Sequence, residues 1–343
     1  MKNSAFVICN EYIQPGEKAN LALQMPDLYS CAPLYMPIKV IHSKVAGPTL
    51  LIFSTINGNE MNGLEIVNRL IKSISADDIC GTIIAVPVLN IYGLTHYPKS
   101  MPSGNHNLAD CFPGQLDGKY GERIAYIFTN ELIKKADYCI ELQSGSLNHN
   151  ILPQVYCNFE DPKVKRLAKH FQVPVVTNVS TNKNKLRQTM ESLGIPLIVY
   201  QAGEAMRFDE NAIKIGIEGT KNIMRAIEMS SDEPHKQINP VFSQDEEWIT
   251  APKGGILHVE VELGQVISQN DKIGTISDPF ASDHEETLKA TKDGIVVGIN
   301  TTPLIHEGLS IFKIASFVDY DKAENAIGSW EQRQQEQEQQ ETI

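Results

Sequence analysis

Between residues 49 and 229 short apolar runs alternate with segments of helical spacing, and this alternation constrains the fold more than any other feature of the chain. TLLIFSTI (49–56), GTIIAVPVLN (81–90), DYCIELQSG (137–145) and PLIVYQAG (196–203) have the length and apolar character of buried strands. LEIVNRLIKSI (64–74) places apolar residues at 64, 66, 67, 70, 71 and 74, the spacing of one helix face. GERIAYIFTNELIKKA (121–136), VKRLAKHF (164–171) and NAIKIGIEGTKNIMRAIEM (211–229) read as further helices. The pattern predicts an α/β fold with a mainly parallel sheet flanked by helices. In such sheets a site lies off the carboxyl ends of the strands. Those ends are NGNE (57–60), the stretch from Asn90, QSGS (143–146) and QAGE (201–204).

Either side of this core the pattern changes. Residues 1–48 read as short strands broken by proline, and 91–120 as a long loop rich in Pro, Gly, Asn and Asp. A polar linker at 230–240 precedes short, Gly-punctuated strands, and the last residues are almost purely Gln and Glu. The expected organisation is an α/β domain over 1–235, a small all-β domain over 241–318 and a Gln/Glu-rich tail over 329–343 that forms at most a solvated helix.

Charge removes several function classes. Lys and Arg number 30 against 42 Asp and Glu, a net charge of −12, which argues against a nucleic acid or an anionic membrane as partner. No apolar run approaches the roughly 18 residues of a membrane span, and Ala5–Cys9 is too short for a signal peptide. The expectation is a soluble cytoplasmic protein. The six Cys are scattered with no C-x-x-C pair, so they are expected to be buried reduced thiols.

Taken in order, strand–NGNEMNG–helix, VPVLNIYG, a loop ending in LADCFPG, ADYCIELQSG and YQAGE resemble the succinylglutamate desuccinylase/aspartoacylase family, a branch of the zinc carboxypeptidase-like hydrolases. The resemblance runs from about residue 35 to 225, and the β region after the linker is similar to that family's appended domain, of barrel-sandwich or lipoyl-like type. It implies a zinc-carboxypeptidase-like mixed, mainly parallel sheet. It also implies a zinc site in which His and Glu of an H-G-x-E segment and a later His of D-L-H hold the metal, with a Glu as general base.

At the positions so matched, this sequence departs from that pattern. The zinc-ligand positions are Asn57, Glu60 and Gln143, of which only Glu60 is kept. The general-base position is Gln201, with Glu204 as a substitute acid three residues on. Where the resemblance implies a substrate-binding Arg stands Asp110, while Arg187, the other substrate-binding position it implies, matches an Arg upstream of the base. Neutral amides bind Zn²⁺ far more poorly than imidazole, and Gln201 cannot take up a proton as a base. No cofactor is expected, and Zn²⁺ only if other ligands replace the lost ones, with His96, His106, Asp110 and His149 as candidates. Glu60 also has a bland role, as an acid favouring a helix N-terminus, and Glu204 as an ion-pair partner of Arg207. The turn 278–287, where a lipoyl-type carrier would hold its modified Lys, contains none, and Lys289 and Lys292 read as surface residues.

The reading is therefore a family member catalytically impaired or free of zinc, binding a small N-acyl amino acid, a peptide terminus or a protein partner in the old cleft. The alternatives are an active metal-dependent amidohydrolase with rewired ligands, and an assembly role, as a homo-oligomer or scaffold, through the β domain and tail.

Overall fold

The computed structural model describes residues 2–27, 33–96, 107–180, 184–230, 238–280, 285–317 and 319–341. Strands β1 (Phe6–Ile8) and β2 (Glu11–Ile13) form a hairpin turned by Cys9 and Asn10, both with positive φ, the geometry a two-residue hairpin needs. The α/β part comprises β3 (Glu17–Gln24), β4 (Tyr35–His42), β5 (Thr49–Ser54), α1 (Met61–Ser73), β6 (Thr82–Val86), α2 (Ile91–His96), α3 (Tyr120–Glu131), β7 (Tyr138–Gln143), β8 (His149–Cys157), α4 (Pro162–His170), β9 (Val175–Asn178), α5 (Lys185–Ser192), β10 (Leu197–Gly203) and α6 (Glu210–Ala226). There follow β11 (Val241–Ser243), β12 (Glu246–Thr250), β13 (Gly255–Val259), β14 (Val266–Ile267), β15 (Lys272–Ser277), β16 (Glu286–Lys289), β17 (Gly294–Asn300), β18 (Leu304–Ile305), β19 (Ser310–Ala315) and the helix α7 (Tyr320–Glu341).

One large mixed sheet runs β12-β19-β17-β8-β10-β7-β5-β6-β4-β3. Its centre, β6-β5-β7-β10, is parallel, and β4 and β8 flank it antiparallel. β5 and β6 are buried along their whole length, as strands covered on both faces must be. One face packs on α1, α4 and α6 through Ile66, Leu70, Phe171 and Ile213. The other packs on α3 and α5 through Phe53, Phe128, Leu186 and Met190, with Phe53 edge-on to Phe128 at 5.3 Å. The later strands continue this sheet, since β17 pairs with β8 at Gly298–Ile151. A second sheet, β16-β15-β13-β18, closes over them around Leu257, Ile276, Val296 and Phe312.

Several sequence expectations shift. The strand begun at 81 stops at Val86, before Pro87, which has no N–H to donate. The helix begun at 121 ends at Glu131 and gives way to a 3-10 turn at Ile133–Lys135. The 91–120 stretch is not all loop, because it contains α2 and a 3-10 turn at Leu108–Cys111. Not foreseen were β8, which carries Pro153 inside the strand, β9, which is four residues long, and the short polar α5. Helix α7 is more than a solvated tail, since Ala323, Ile327 and Trp330 are buried against the α/β core and Arg333 donates to Gln172 Oε1 at 3.0 Å. Among the described residues the cysteines are free, but only Cys139 and Cys157 are buried. Cys9, Cys80 and Cys111 are partly exposed, and Cys31 lies outside the described residues. Within the described residues no helix is long and apolar enough to cross a membrane.

Candidate active site

At the carboxyl end of β5 the chain reverses through Thr55, held at φ 58°, a costly conformation for a β-branched residue. Its hydroxyl donates to Pro87 O at 3.0 Å, and Asn90 supports the same turn by donating to Ile56 O at 3.1 Å. Two glycines allow the close packing that follows. A Cβ on Gly58 would meet the Gly93 backbone at 1.9 Å, and one on Gly63 would meet Ser54 Oγ at 2.2 Å. Asn57 and Glu60 are thereby fixed just before α1. The Glu60 carboxylate, 2% exposed, turns back onto residue 57: Asn57 Nδ2 donates to Oε1 at 2.8 Å and the Asn57 main-chain N–H to Oε2 at 3.1 Å. Asn57 Oδ1 is buried with no partner among the described residues.

The other two strand ends are stitched to this turn. Met206 N donates to Asn59 O at 3.0 Å and Gly145 N to Gly203 O at 3.0 Å. Gln143 and Gln201 are register partners in the parallel β7–β10 pair. Gln201 Nε2 donates to Gln143 Oε1 at 3.4 Å and to Ser144 O at 3.2 Å, and Gln143 Nε2 donates to Glu141 Oε1 at 2.6 Å. Glu141, two residues earlier on β7, shares the face of Gln143. It is 2% exposed, and its Oε2 has no partner among the described residues. Burial pushes its carboxyl above the usual range, against the pull of Arg187 and the Gln143 hydrogen bond.

The polar line continues into the later strands. Tyr156 on β8 donates to Gln201 Oε1 at 3.2 Å or to Glu246 of β12 at 3.1 Å, and accepts from Lys313 Nζ of β19 at 2.9 Å and from Gln154 Nε2 at 2.9 Å. Lys313 also pairs directly with Glu246 and lies 5.3 Å from the Tyr156 ring centre. Burial and the Glu246 carboxylate hold the Tyr156 hydroxyl well above its ordinary pKa, so it stays a donor.

The remaining sequence candidates lie elsewhere. Glu204, 7% exposed, accepts from Asn148 N at 3.0 Å and Thr301 Oγ1 at 3.2 Å and pairs with Arg207 at 3.5 Å, so it ties β10 to the β17–β18 loop. Asp110 is exposed on the 3-10 turn. Arg187, on α5, faces Glu141 and Tyr156 electrostatically. His149 is held by Leu147 O and Ser310 O and sits edge-on to Trp248 at 4.8 Å. His106 lies outside the described residues. Among the described residues no three His, Cys, Asp or Glu side chains form a group able to hold a metal ion. Glu141, Tyr156, Glu246 and Lys313 were missed by sequence reasoning. Only Glu141 left a signal there, a carboxylate two residues from Gln143 on one strand.

This arrangement can present amide donors and acceptors to a ligand. It offers no imidazole at the three strand ends, and Glu60 is already held by Asn57.

A model of the succinylglutamate desuccinylase/aspartoacylase catalytic domain matches residues 46–227. The chain is 24% identical over 296 residues, covering 83% of it and 86% of the relative, to an N-alpha-acetyl-L-2,4-diaminobutyric acid deacetylase of Halomonas elongata. Among solved structures it is similar to a succinylglutamate desuccinylase/aspartoacylase from Rhodobacter sphaeroides, with TM-score 0.78, 18% identity and coverage of 88% of this chain and 96% of that one. It is also similar to the product-bound ectoine utilization protein EutE (DoeB) from Ruegeria pomeroyi, with TM-score 0.78, 19% identity and coverage of 88% and 95%.

Proposed function

Since the chain belongs to the succinylglutamate desuccinylase/aspartoacylase family, we propose that it uses the family's cleft to bind a small N-acyl amino acid or a peptide terminus without zinc-dependent hydrolysis. The observation that carries this reading is that the substituted residues hydrogen-bond to the retained Glu60 and to one another. Asn57 supplies the Glu60 carboxylate with two hydrogen bonds, and Gln201 donates to Gln143, which in turn donates to Glu141. Zinc takes imidazole, thiolate or carboxylate donors. Here one carboxylate and two amides stand at the ligand positions, and the carboxylate is engaged. The residues present do not fit zinc.

Gln201 cannot hold a proton taken from water, which removes the base for amide cleavage. Uncharged amides at strand ends suit an uncharged amide in a ligand, each offering one acceptor oxygen and two donor hydrogens. The acetylated substrate in the name of the Halomonas elongata relative points to an acylated amino acid as probe. Calorimetric titration with N-acetyl-L-2,4-diaminobutyrate and with acidic and apolar N-acetyl amino acids tests the reading, alongside an assay for released acetate. Saturable binding without acetate release is expected. Release of acetate that is lost in Glu60→Gln contradicts it and supports the second reading, a working amidohydrolase with rewired ligands, which the deacetylase relative favours.

A further inference from the structure

A cavity of about 570 Å³ opens where the first turn of α6 meets the loops before β8 and after β17, with Asn148, Asn150, Phe208, Asp209 and Thr302 in its walls. That volume lies within the roughly 300–1,000 Å³ of small-molecule sites. The cavity is across the sheet from the cleft. His149 sits edge-on to Trp248, whose ring centre is 5.7 Å from Lys313 Nζ, on the side of the Gln201–Tyr156–Lys313 network. Successive residues of a strand face opposite sides. Asn150 therefore points to the other face, as does Leu152, which is buried in the core with Ala212 and Ile213 of α6. None of Asn57, Glu60, Gln143, Tyr156, Arg187 and Gln201 contributes to its wall.

The walls are held in place, and their charged groups already have partners. Glu204 accepts from Asn148 N and Thr301 Oγ1 and pairs with Arg207, and Thr301 N donates to Asn148 O at 2.8 Å. Asp209 caps α6 by accepting from Ala212 N at 3.0 Å, and its own N–H donates to Asn62 Oδ1 at 2.9 Å. Among the described residues the hydrogen bonds of Asn148 and Thr302 run through their main chains, and those of Asn150 through its ladder with β17. Two side-chain amides and a hydroxyl are left for a ligand. Beside them the Phe208 ring is 63% exposed. Amides and hydroxyls both donate and accept, which suits ligand groups that do the same. The uncovered ring gains from an apolar face laid on it. A neutral ring with hydroxyls around its edge and C–H groups on its face meets both conditions, and a pyranose has this form.

We propose that this cavity is a carbohydrate-binding site, which takes a neutral saccharide with one pyranose face on Phe208 and its hydroxyls on Asn148, Asn150 and Thr302. A charged ligand gains little there, because Glu204, Asp209 and Arg207 are engaged within the protein. The site goes beyond the cleft's reading and does not rest on it.

Calorimetric titration of the full-length protein with maltose, cellobiose and lactose tests the site. Sorbitol, which has hydroxyls but no ring, and cyclohexanol, which has a ring but a single hydroxyl, serve as controls. At least one disaccharide is expected to bind one per chain with millimolar or tighter affinity, and both controls at least about tenfold more weakly. Phe208→Ala and Asn150→Ala are each expected to weaken that disaccharide about tenfold, whereas Asn57→Ala, in the cleft, leaves it unchanged. Thermal melts establish that each variant is folded, and Thr302→Ala, in a loop, replaces Asn150→Ala if that variant is not. Failure of all three disaccharides to bind at tens of millimolar overturns the proposal. So does binding that survives both Phe208→Ala and the polar variant, and so does loss of binding in Asn57→Ala but not in Phe208→Ala. Sorbitol or cyclohexanol binding as tightly as the disaccharide also overturns it.

Discussion

Asn57 grips both oxygens of Glu60, its side-chain N–H reaching Oε1 at 2.8 Å and its main-chain N–H reaching Oε2 at 3.1 Å. A carboxylate held this way by the residue three positions earlier has its charge dispersed by donors from its own turn. Restoring imidazoles reverses this. Asn57→His with Gln143→His rebuilds a two-His, one-Glu donor set around an existing backbone geometry. The double variant is expected to retain about one zinc per chain after dialysis against buffer, measured by plasma mass spectrometry. A double variant that folds and keeps only trace zinc would show that the turn itself, and not the side chains, prevents binding.

Glu141 gives the cleft a pH signature. Burial raises its folded-state pKa above that of the unfolded chain, about 4.3. A raised carboxyl contributes stability that is fully present below the unfolded pKa and is lost as pH rises through the folded pKa. Glu141→Gln removes that titration and keeps an oxygen to accept from Gln143. Its melting temperature is expected to exceed that of wild type by more at pH 8 than at pH 5. An equal offset at both values would mean that Glu141 is not raised.

Lys313 and Glu246 form an ion pair with little exposure, 11% and 18% of their side chains, against Tyr156. Removing one partner leaves the other charge stranded. Lys313→Met is expected to cost about 3 kcal/mol in urea unfolding, and Lys313→Met with Glu246→Leu distinctly less, because no charge is then left unpaired. Equal losses in the two variants would mean that the pair contributes only through packing.

Helix α7 packs on the core through Ala323, Ile327 and Trp330. Trp330 is 6% exposed in the core that also holds Ile327 and Ala323. Trp330→Ala is expected to cost about 3 kcal/mol. Ending the chain after Arg333 removes the Gln- and Glu-rich residues 334–343 and is expected to change stability by less than about 0.5 kcal/mol. Thermal or urea denaturation compares the two. The reverse ranking would move the anchor into the Gln/Glu segment.

The central strands were legible because each is a short apolar run with one helical face following it, and β5, β7 and β10 fall where TLLIFSTI, DYCIELQSG and PLIVYQAG stand. β8 was not, since Pro153 and the polar Asn150 and Gln154 break its apolar run, and its pairing with β17 spans nearly 150 residues of chain. The strand-end residues Asn57, Gln143 and Gln201 were legible from order alone, and the pairing of β7 with β10 puts the two glutamines side by side. The other half of the network was hidden for the same reason as β8. Tyr156, Glu246 and Lys313 come from three strands whose adjacency is decided by tertiary pairing, and no local spacing encodes it. Asp110 follows a different course: it stands where an Arg is expected, yet its turn leaves it exposed.

With amides at Asn57, Gln143 and Gln201, where the family resemblance implies two zinc ligands and a base, the cleft is expected not to hold zinc. Zinc titration of the purified, chelator-treated protein against a competing indicator measures this directly. The expected result is no binding tighter than micromolar and no change in the melt on adding stoichiometric zinc. One zinc bound per chain with sub-micromolar affinity, lost in Glu60→Ala, would contradict the account.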